Sequence, residues 1–168
     1  MIACITDVPV FDLRRARASD YEFVTRLYQD TMQPLLTRLD AWDERDALLR
    51  FKRYFKVRET QIVGLDGEDI GFLQVSETRN KITLAQIHIA AQFRGRGIGT
   101  HLVQSVLRDA ATKRMPVLLS VVRGNHARAL YERLGFRVTG EDATRLHMEW
   151  ESAREPAMEP QALNGPTV

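Results

Sequence analysis

Hydrophobic residues follow two different spacings along the chain, and these spacings alternate from one segment to the next. Alternating or continuous apolar runs are typical of strands, whereas apolar residues spaced by three and four are typical of helices that bury one face. Strands are predicted at 11–16, 61–65, 70–75, 81–89, 117–122, 137–142 and 144–150. Helices are predicted after residue 19 and at 41–55, 97–112 and 125–134. This order predicts an α/β (α+β) fold, with helices on both faces of a mixed sheet.

The strand at 81–89 has an irregular hydrophobic pattern. Ile82 and Leu84 occupy one parity of the strand, whereas Ile87 and Ile89 occupy the other. One face can stay apolar only if the strand absorbs an extra residue, which is what a β-bulge does. We therefore predict a bulge near Ala85 and Gln86.

Short polar motifs predict where several elements begin and turn. Ser19 and Glu22 have the spacing of a capping box, in which the serine caps the first helix. Asp66-Gly67 lies between two apolar runs and is typical of a tight hairpin turn. Gly135 follows the last predicted helix, where a glycine favours helix termination.

Length and composition set the broad class of the protein. The 168 residues carry a net charge of only +2, which does not indicate a nucleic-acid partner. A single cysteine, Cys4, suits a reducing compartment, and neither a signal peptide nor a membrane span is recognised. A cytoplasmic location is therefore expected. Residues 1–150 are predicted to form one domain, and residues 151–168, with three prolines, a disordered or loosely docked tail.

A glycine-rich segment lies between the strand at 81–89 and the following helix. Glycines alternate with other residues at Gly95, Gly97 and Gly99; Arg94 precedes the first glycine, and Arg96 lies between the first two. Unpaired amides at a helix start bind phosphate, and glycines allow a ligand to approach the backbone. The alternative is an ordinary turn with solvated arginines. The spacing matches neither the P-loop, which needs a lysine, nor the dinucleotide fingerprint.

A second segment about 30 residues later completes a recognisable pair of motifs. It contains Asn125, a candidate helix cap, followed by Tyr131 and Gly135-Phe136. Taken alone, Tyr131 would be read as a core tyrosine. Together, the stretch from Gln92 through Gly97 and this helix resemble the GNAT superfamily of acyl-CoA N-acyltransferases. The resemblance extends over about residues 11–150.

The resemblance implies a fold and a set of binding residues. The fold would have about six or seven mostly antiparallel strands, with bulged and splayed central strands. The splayed strand would bind the pantetheine arm of acetyl-CoA, the glycine-rich turn its pyrophosphate, and Asn125 and Tyr131 the arm and the thioester end. The cofactor-binding residues implied are Ile87, Ile89, Arg94, Gly95, Arg96, Gly97, Ile98, Gly99, Thr100, Asn125 and Tyr131.

By resemblance, the chain is an enzyme that transfers acetyl from acetyl-CoA to a primary amine by direct attack in a ternary complex. Tyr131 would stand near the sulfur and either donate a proton to it or simply form a hydrogen bond with it. Many relatives have an acidic base on the bulged strand, but residues 81–89 contain no carboxylate. His88 is the titratable candidate there, with a structural histidine or a water relay from Gln86 as alternatives.

Several questions stay open at the level of sequence. The acceptor is a small amine, an amino-acid derivative, or a protein N-terminus or lysine, and the protein is a monomer or a homodimer. Trp42 with Asp43, Glu44 and Asp46 forms either a cation-binding cluster or an exposed helix start. The histidines have no metal-ligand spacing, so no metal is expected. The alternative functions are a non-catalytic acyl-CoA sensor and a transferase for a longer acyl-CoA; a nucleotide-binding module is disfavoured.

Overall fold

Strands and helices alternate along the chain in the computed structural model, which describes residues 8–152. The strands are β1 Asp12–Arg15, β2 Thr60–Leu65, β3 Glu68–Glu77, β4 Ile82–Ile89, β5 Val117–Val122, β6 Arg137–Glu141 and β7 Arg145–Trp150. The helices are α1 Tyr21–Thr37, α2 Glu44–Tyr54, α3 Ile98–Lys113 and α4 Ala127–Arg133. Cys4 and most of the predicted tail, residues 153–168, lie outside the described residues.

The strands form one seven-stranded sheet in the order β1-β2-β3-β4-β5-β7-β6. Neighbouring strands are antiparallel except for β4 and β5, which are parallel and joined through α3. This topology confirms the predicted mixed, mostly antiparallel sheet. Because β7 inserts between β5 and β6, residues almost 30 positions apart in sequence become cross-strand neighbours.

Each face of the sheet is covered by its own hydrophobic cluster. On one face, α1 and α2 bury Val24, Leu27 and Phe51 against Phe72. On the other face, α3 buries apolar residues against the sheet, and Tyr131 of α4 joins the same cluster. The α3 residues that are buried are Ile98, Leu102, Val103, Val106, Leu107 and Ala110. Helices therefore cover both faces, as predicted.

The predicted bulge and the predicted hairpin are both confirmed. Gln86 pairs with Gln74 and Leu84 pairs with Val75, so Ala85 is the extra residue of β4. Its insertion returns Ile87 and Ile89 to the α3 face, where both join the α3 cluster. The turn between β2 and β3 has left-handed φ angles of 52° at Asp66 and 82° at Gly67, as a tight hairpin requires.

The start of α1 differs from the predicted capping box. Ser19 lies inside a short 3-10 turn, Ala18–Asp20, and Asp20 precedes the helix. The Asp20 carboxylate accepts from the backbone N–H of Arg17 at 2.7 Å and from the Arg14 guanidinium at 2.8 Å. The prediction of Ser19 as the cap is wrong because this ion pair, which no local motif reveals, gives Asp20 that place.

Candidate functional site

The central feature of the sheet is a gap between β4 and β5. The two strands pair only at three positions, from Ile82–Val117 to Leu84–Leu119. The bulge at Ala85 follows directly, and β4 then continues to Ile89 alongside β3 alone. Since a bulge bends its strand and increases the local twist, it accounts for the separation.

Backbone groups of β4 point into this gap. The N–H of Ala90 donates to the carbonyl of Ile70 on the β3 side. In an antiparallel pair, successive residues direct their peptide groups to opposite sides of the strand. The peptide groups of Ile87 and Ile89 therefore face the gap, and the Ile89 carbonyl accepts from Arg94 Nε at 2.7 Å.

A run of unpaired amides lies where β4 passes into α3. After a 3-10 turn at Ala91–Phe93, Gly95 and Gly97 adopt left-handed φ angles of 74° and 80°. The first helical hydrogen bond runs from the N–H of His101 to the carbonyl of Gly97. Within residues 8–152, none of the six amides from Gly95 to Thr100 has a hydrogen-bond acceptor. Such a run at a helix N-terminus attracts a bound anion.

The two arginines of the turn are already engaged in part. Arg94 holds the end of β4 through Ile89, as described above. Arg96 donates to the carbonyl of Gln92 at 3.1 Å and lies over the Phe93 ring, 5.2 Å from its centroid. Both side chains are exposed, so they brace the turn while adding positive charge beside the free amides.

Tyr131 and Asn125 are placed by the short helix α4. The Asn125 side chain accepts from the N–H of Ala127 at 2.9 Å, so it caps a helix that begins slightly later than predicted. At the other end, Gly135 has a φ of 95°, and the N–H of Phe136 donates to the carbonyl of Tyr131. This Schellman-type ending directs Phe136 back onto the Tyr131 ring, at 5.7 Å between centroids.

The Tyr131 ring is buried in the α3 cluster, where burial raises the pKa of its hydroxyl to about 12. Among the described residues, none forms a hydrogen bond with that hydroxyl, which leaves it able to donate to a ligand.

His88 lies on the face of the sheet opposite Tyr131, and both of its ring nitrogens have hydrogen-bond partners. Its Nδ1 is 2.6 Å from the Thr31 hydroxyl and its Nε2 is 2.7 Å from Gln86 Oε1. The ring stacks on Phe72 at 4.9 Å between centroids. Burial, with a smaller effect of nearby Arg94 and Arg145, lowers its pKa to about 3. A neutral ring with both nitrogens in use favours a role in holding Gln86 beside the gap.

The carboxylates at the acidic start of α2 are already engaged, two of them at the start of α2 itself and one with α1. Asp43 accepts from the N–H of Asp46 at 2.7 Å, and Asp46 pairs with Arg50 at 2.5 Å. Glu44 accepts from Gln29 of α1. All three acids are exposed. These contacts favour the exposed helix start over the cation-binding cluster.

Sequence reasoning missed a polar group on β5 and β7. Ser120 Oγ lies 2.8 Å from His147 Nδ1, and His147 Nε2 lies 3.2 Å from Asp142 Oδ2. The only sequence signal was a serine inside an apolar strand and a histidine at the outward parity of β7. Within residues 8–152, there is no group of three or more potential metal ligands. Nor does any helix in this range have the length and apolar character needed to cross a bilayer.

Comparisons with known proteins give the same fold. The structure superposes on the PaiA N-acetyltransferase of Thermoplasma acidophilum, solved with coenzyme A, at a TM-score of 0.65 and 17% identity, covering 84% of this chain and 99% of that one. A GNAT acetyltransferase of Listeria monocytogenes gives a TM-score of 0.60 at 15% identity, covering 84% and 94%. An Arabidopsis thaliana protein solved with the bisubstrate analogue CoA-Ac-MVNAL gives 0.61 at 17%, covering 84% and 98%.

A search of curated protein sequences finds no significant match. A family model described as an acetyltransferase (GNAT) domain matches residues 54–138, about half of the chain. The matched region runs from the end of α2 to β6 and includes the bulged strand, the free amides and Tyr131. The chain therefore belongs to the GNAT acetyltransferase family.

Proposed function

We propose that this protein transfers acetyl from acetyl-CoA to a primary amine in a ternary complex. The observation that carries the proposal is the run of six amides from Gly95 to Thr100 that have no acceptor among the described residues, directly after a strand that has separated from its neighbour. A diphosphate is the group that such amides suit best, because its oxygens accept several N–H donors at once.

The turn also has the space that a diphosphate needs. A side chain added at Gly95 or Gly99 would meet no atom within 4 Å, so the backbone at both positions is open. Each of Arg94 and Arg96 uses only part of its guanidinium group to brace the turn. The remaining N–H groups would form charge-assisted hydrogen bonds with the diphosphate. In this proposal, Arg94 to Thr100 hold the diphosphate of coenzyme A.

The gap between β4 and β5 would take the pantetheine arm. Its amide groups would pair with the peptide groups of Ile87 and Ile89, much as an added strand pairs with a sheet edge. Asn125, at the far side of the gap, would contact the same arm. The thioester would then lie between the bulge of β4 and the Tyr131 hydroxyl.

The thioester supplies an acetyl group that an amine can attack directly. Backbone N–H groups of the bulged strand would polarise its carbonyl oxygen and stabilise the charge that develops there. Tyr131, which stays protonated because of its burial, would give its proton to the departing sulfur. His88 would act as a positioning residue that keeps Gln86 at the gap.

The acceptor would approach from the α1 and α2 face, opposite the face on which α3 packs. The class of amine stays open among small amines, amino-acid derivatives and protein amines. Gln86 is the polar side chain of β4 that faces this approach, since it lies between His88 and the bulge.

The test measures binding and turnover separately. Calorimetry with coenzyme A should give micromolar binding to the purified protein, and acetyl-CoA with a panel of amines should release free thiol. Binding without thiol release for any amine would favour a sensor. Faster turnover with a longer acyl-CoA would assign a different donor. No heat of binding with acetyl-CoA or coenzyme A at millimolar concentration would refute the proposal.

A further inference from the structure

We propose that Ser120, His147 and Asp142 form the chain that accepts the proton of the acceptor amine, with Ser120 as the residue that touches the amine. This inference rests on the acetyl transfer proposed above and supplies the base that β4 lacks. We call these three residues the relay.

The relay has the hydrogen-bond geometry of a proton-accepting chain. Ser120 and His147 are directly opposite each other in the β5–β7 ladder, with 2.8 Å between Oγ and Nδ1. Nε2 of His147 lies 3.2 Å from Asp142 Oδ2. A carboxylate at Nε2 holds the proton on that nitrogen, so the lone pair of Nδ1 is directed at the serine hydroxyl.

The turn before β7 fixes Asp142 for this role. Its Oδ1 accepts from the backbone N–H groups of Thr144 and Arg145, both at 2.8 Å, and from the Thr144 hydroxyl at 3.2 Å. These backbone bonds lower the pKa of Asp142, with His147 as a smaller contribution. The Asp142 carboxylate therefore stays ionised, and its other oxygen, Oδ2, faces the imidazole.

The position of Ser120 places the relay at the start of the gap. Ser120 directly follows Leu119, the last residue of β5 that pairs with β4. Leu119 and Val121 point into the α3 cluster, so Ser120 points to the opposite face, from which the acceptor would approach. Gln86 lies on the same face across the gap, because it bonds to His88, whose ring stacks on Phe72. Ser120 is exposed.

His147 is better placed than His88 to receive a proton. Its side chain is 46% exposed, whereas His88 is 7% exposed and has both nitrogens in use. Gly140 of β6 lies opposite His147 and has no side chain to cover the ring. Besides Asp142, the charged groups near His147 on β7, on β6 and after β5 are Arg145, Glu149, Arg137, Glu141 and Arg123.

The proposed step balances without a further reactant. As the amine nitrogen bonds to the thioester carbon, its proton passes to Ser120 Oγ and the serine proton passes to His147 Nδ1. The carbon–sulfur bond breaks, and the sulfur takes the proton of Tyr131. Solvent then removes the proton from His147 and returns one to Tyr131.

The relay is tested with Ser120→Ala, His147→Gln and Asp142→Asn, and with Glu141→Gln as the matched control. Glu141 directly precedes Asp142 and pairs with Arg123, which also donates to the Asp142 backbone carbonyl, so this variant removes a nearby charge while keeping all three relay side chains. We expect the serine and histidine variants to lose about 100-fold in kcat. Coenzyme A binding and Tm should stay unchanged, and Glu141→Gln should keep full activity.

A second readout does not require turnover. Nitrogen NMR of the histidine rings at pH 8 should show His147 protonated on Nε2 in wild type and a mixture of tautomers in Asp142→Asn. A wild-type ring protonated on Nδ1, or wild-type kcat in both Ser120→Ala and His147→Gln, would overturn the relay. Wild-type thiol release and coenzyme A binding in that case would leave the acetyl transfer standing. Loss of coenzyme A binding by wild type would remove both.

Discussion

Tyr131 combines a buried ring with a hydroxyl that no described residue engages. Burial raises its pKa to about 12, so the proton stays on the oxygen at neutral pH. Because burial keeps the proton on the oxygen, the hydroxyl is available to donate to the departing sulfur, although the raised pKa also makes it a weaker acid than a free tyrosine.

Replacing Tyr131 with phenylalanine should lower kcat about 100-fold while leaving the affinity for coenzyme A within a factor of about three. The reason is that the variant keeps the packing against Phe136 and loses only the proton. Steady-state kinetics from pH 6 to 10 provide the measurement. In wild type we expect no alkaline loss of kcat near pH 10, since the raised pKa postpones ionisation of the tyrosine. A loss there that disappears in the variant would contradict the assignment.

Asp20 links three elements at the start of α1. Arg14 of β1 donates to both of its oxygens and also pairs with Asp69 of β3 at 2.6 Å. Asp20 is buried, and the bonds from Arg14 lower its pKa. A lowered carboxylate pKa stabilises the fold above the unfolded-state value of about 3.9, and this stabilisation is lost as the pH falls through the lower folded-state value.

Asp20→Asn should therefore reduce the free energy of unfolding by about 2 kcal/mol at pH 7. The difference from wild type should shrink as the pH falls below 4, because wild type then loses the same charge. Urea unfolding at pH 7 and pH 3 gives both values. Glu22→Gln, which breaks the exposed pair with Arg26, is the control and should cost at most about 0.5 kcal/mol. Equal losses of unfolding free energy in the two variants would show that the burial of Asp20 does not strengthen its contribution to stability.

At the scale of elements, the segment from β4 to α3 combines three local irregularities. The bulge at Ala85 bends the strand, the left-handed residues Gly95 and Gly97 turn the chain, and the helix then begins without a side-chain cap. Each irregularity removes regular hydrogen bonds. Together they leave peptide groups open along one continuous path from the gap to the helix N-terminus.

Two glycine variants separate the folding role of this segment from its binding role. Gly99→Ala adds a methyl group where no atom lies within 4 Å, and alanine favours the helix, so stability should rise by up to about 0.5–1 kcal/mol. The same methyl group would stand between the amides and a diphosphate, so coenzyme A affinity should fall about tenfold. Calorimetry and urea unfolding measure the two effects. Unchanged affinity would mean that these amides do not contact the ligand.

Gly97→Ala, in contrast to Gly99→Ala, should lower the stability of the protein. Its φ of 80° is unfavourable for alanine, and the added atom would lie 2.9 Å from the Val8 side chain. We expect a loss of about 1–3 kcal/mol in the free energy of unfolding. Comparison with Gly99→Ala under the same conditions shows whether strain or ligand contact accounts for any loss of binding.

For the whole molecule, a single sheet separates two clusters that never share a helix. The α2 residue Phe51 stacks on Tyr28 at 4.5 Å on one face, while Leu102 of α3 is buried on the other. In β2, β3 and β5, adjacent residues point to opposite clusters, so a change of register in one of these strands would disrupt both faces. We therefore propose that residues 1–150 behave as one domain.

The two tryptophans test this proposal because each reports on a different face. Trp42 packs against the α1 and α2 cluster, whereas Trp150 packs against the α3 cluster. Urea unfolding of Trp42→Phe and Trp150→Phe, followed by the remaining tryptophan and by circular dichroism, should give coincident transitions in each variant. In the wild-type background, Phe51→Ala and Leu102→Ala should each cost about 3 kcal/mol without a change in m. A face that unfolded earlier than the secondary structure would divide the chain into two units.

The sequence alone determined the features whose causes are local. Hydrophobic parity revealed the bulge at Ala85, Asp66-Gly67 revealed the hairpin, and alternating glycines revealed a backbone that leaves amides open. In each case a few adjacent residues contain the whole physical cause. The resemblance to GNAT proteins, carried by two such local motifs, then indicated a mostly antiparallel sheet and the splay of its central strands.

The tertiary structure decided everything that depends on residues distant along the chain. His88 is buried because Thr31 and Phe72 come from other elements, and Asp20 replaces Ser19 because Arg14 reaches it from β1. Ser120 and His147 meet only because β7 inserts between β5 and β6. Periodicity tells which face a side chain takes, but pairing between distant strands decides which side chains share that face.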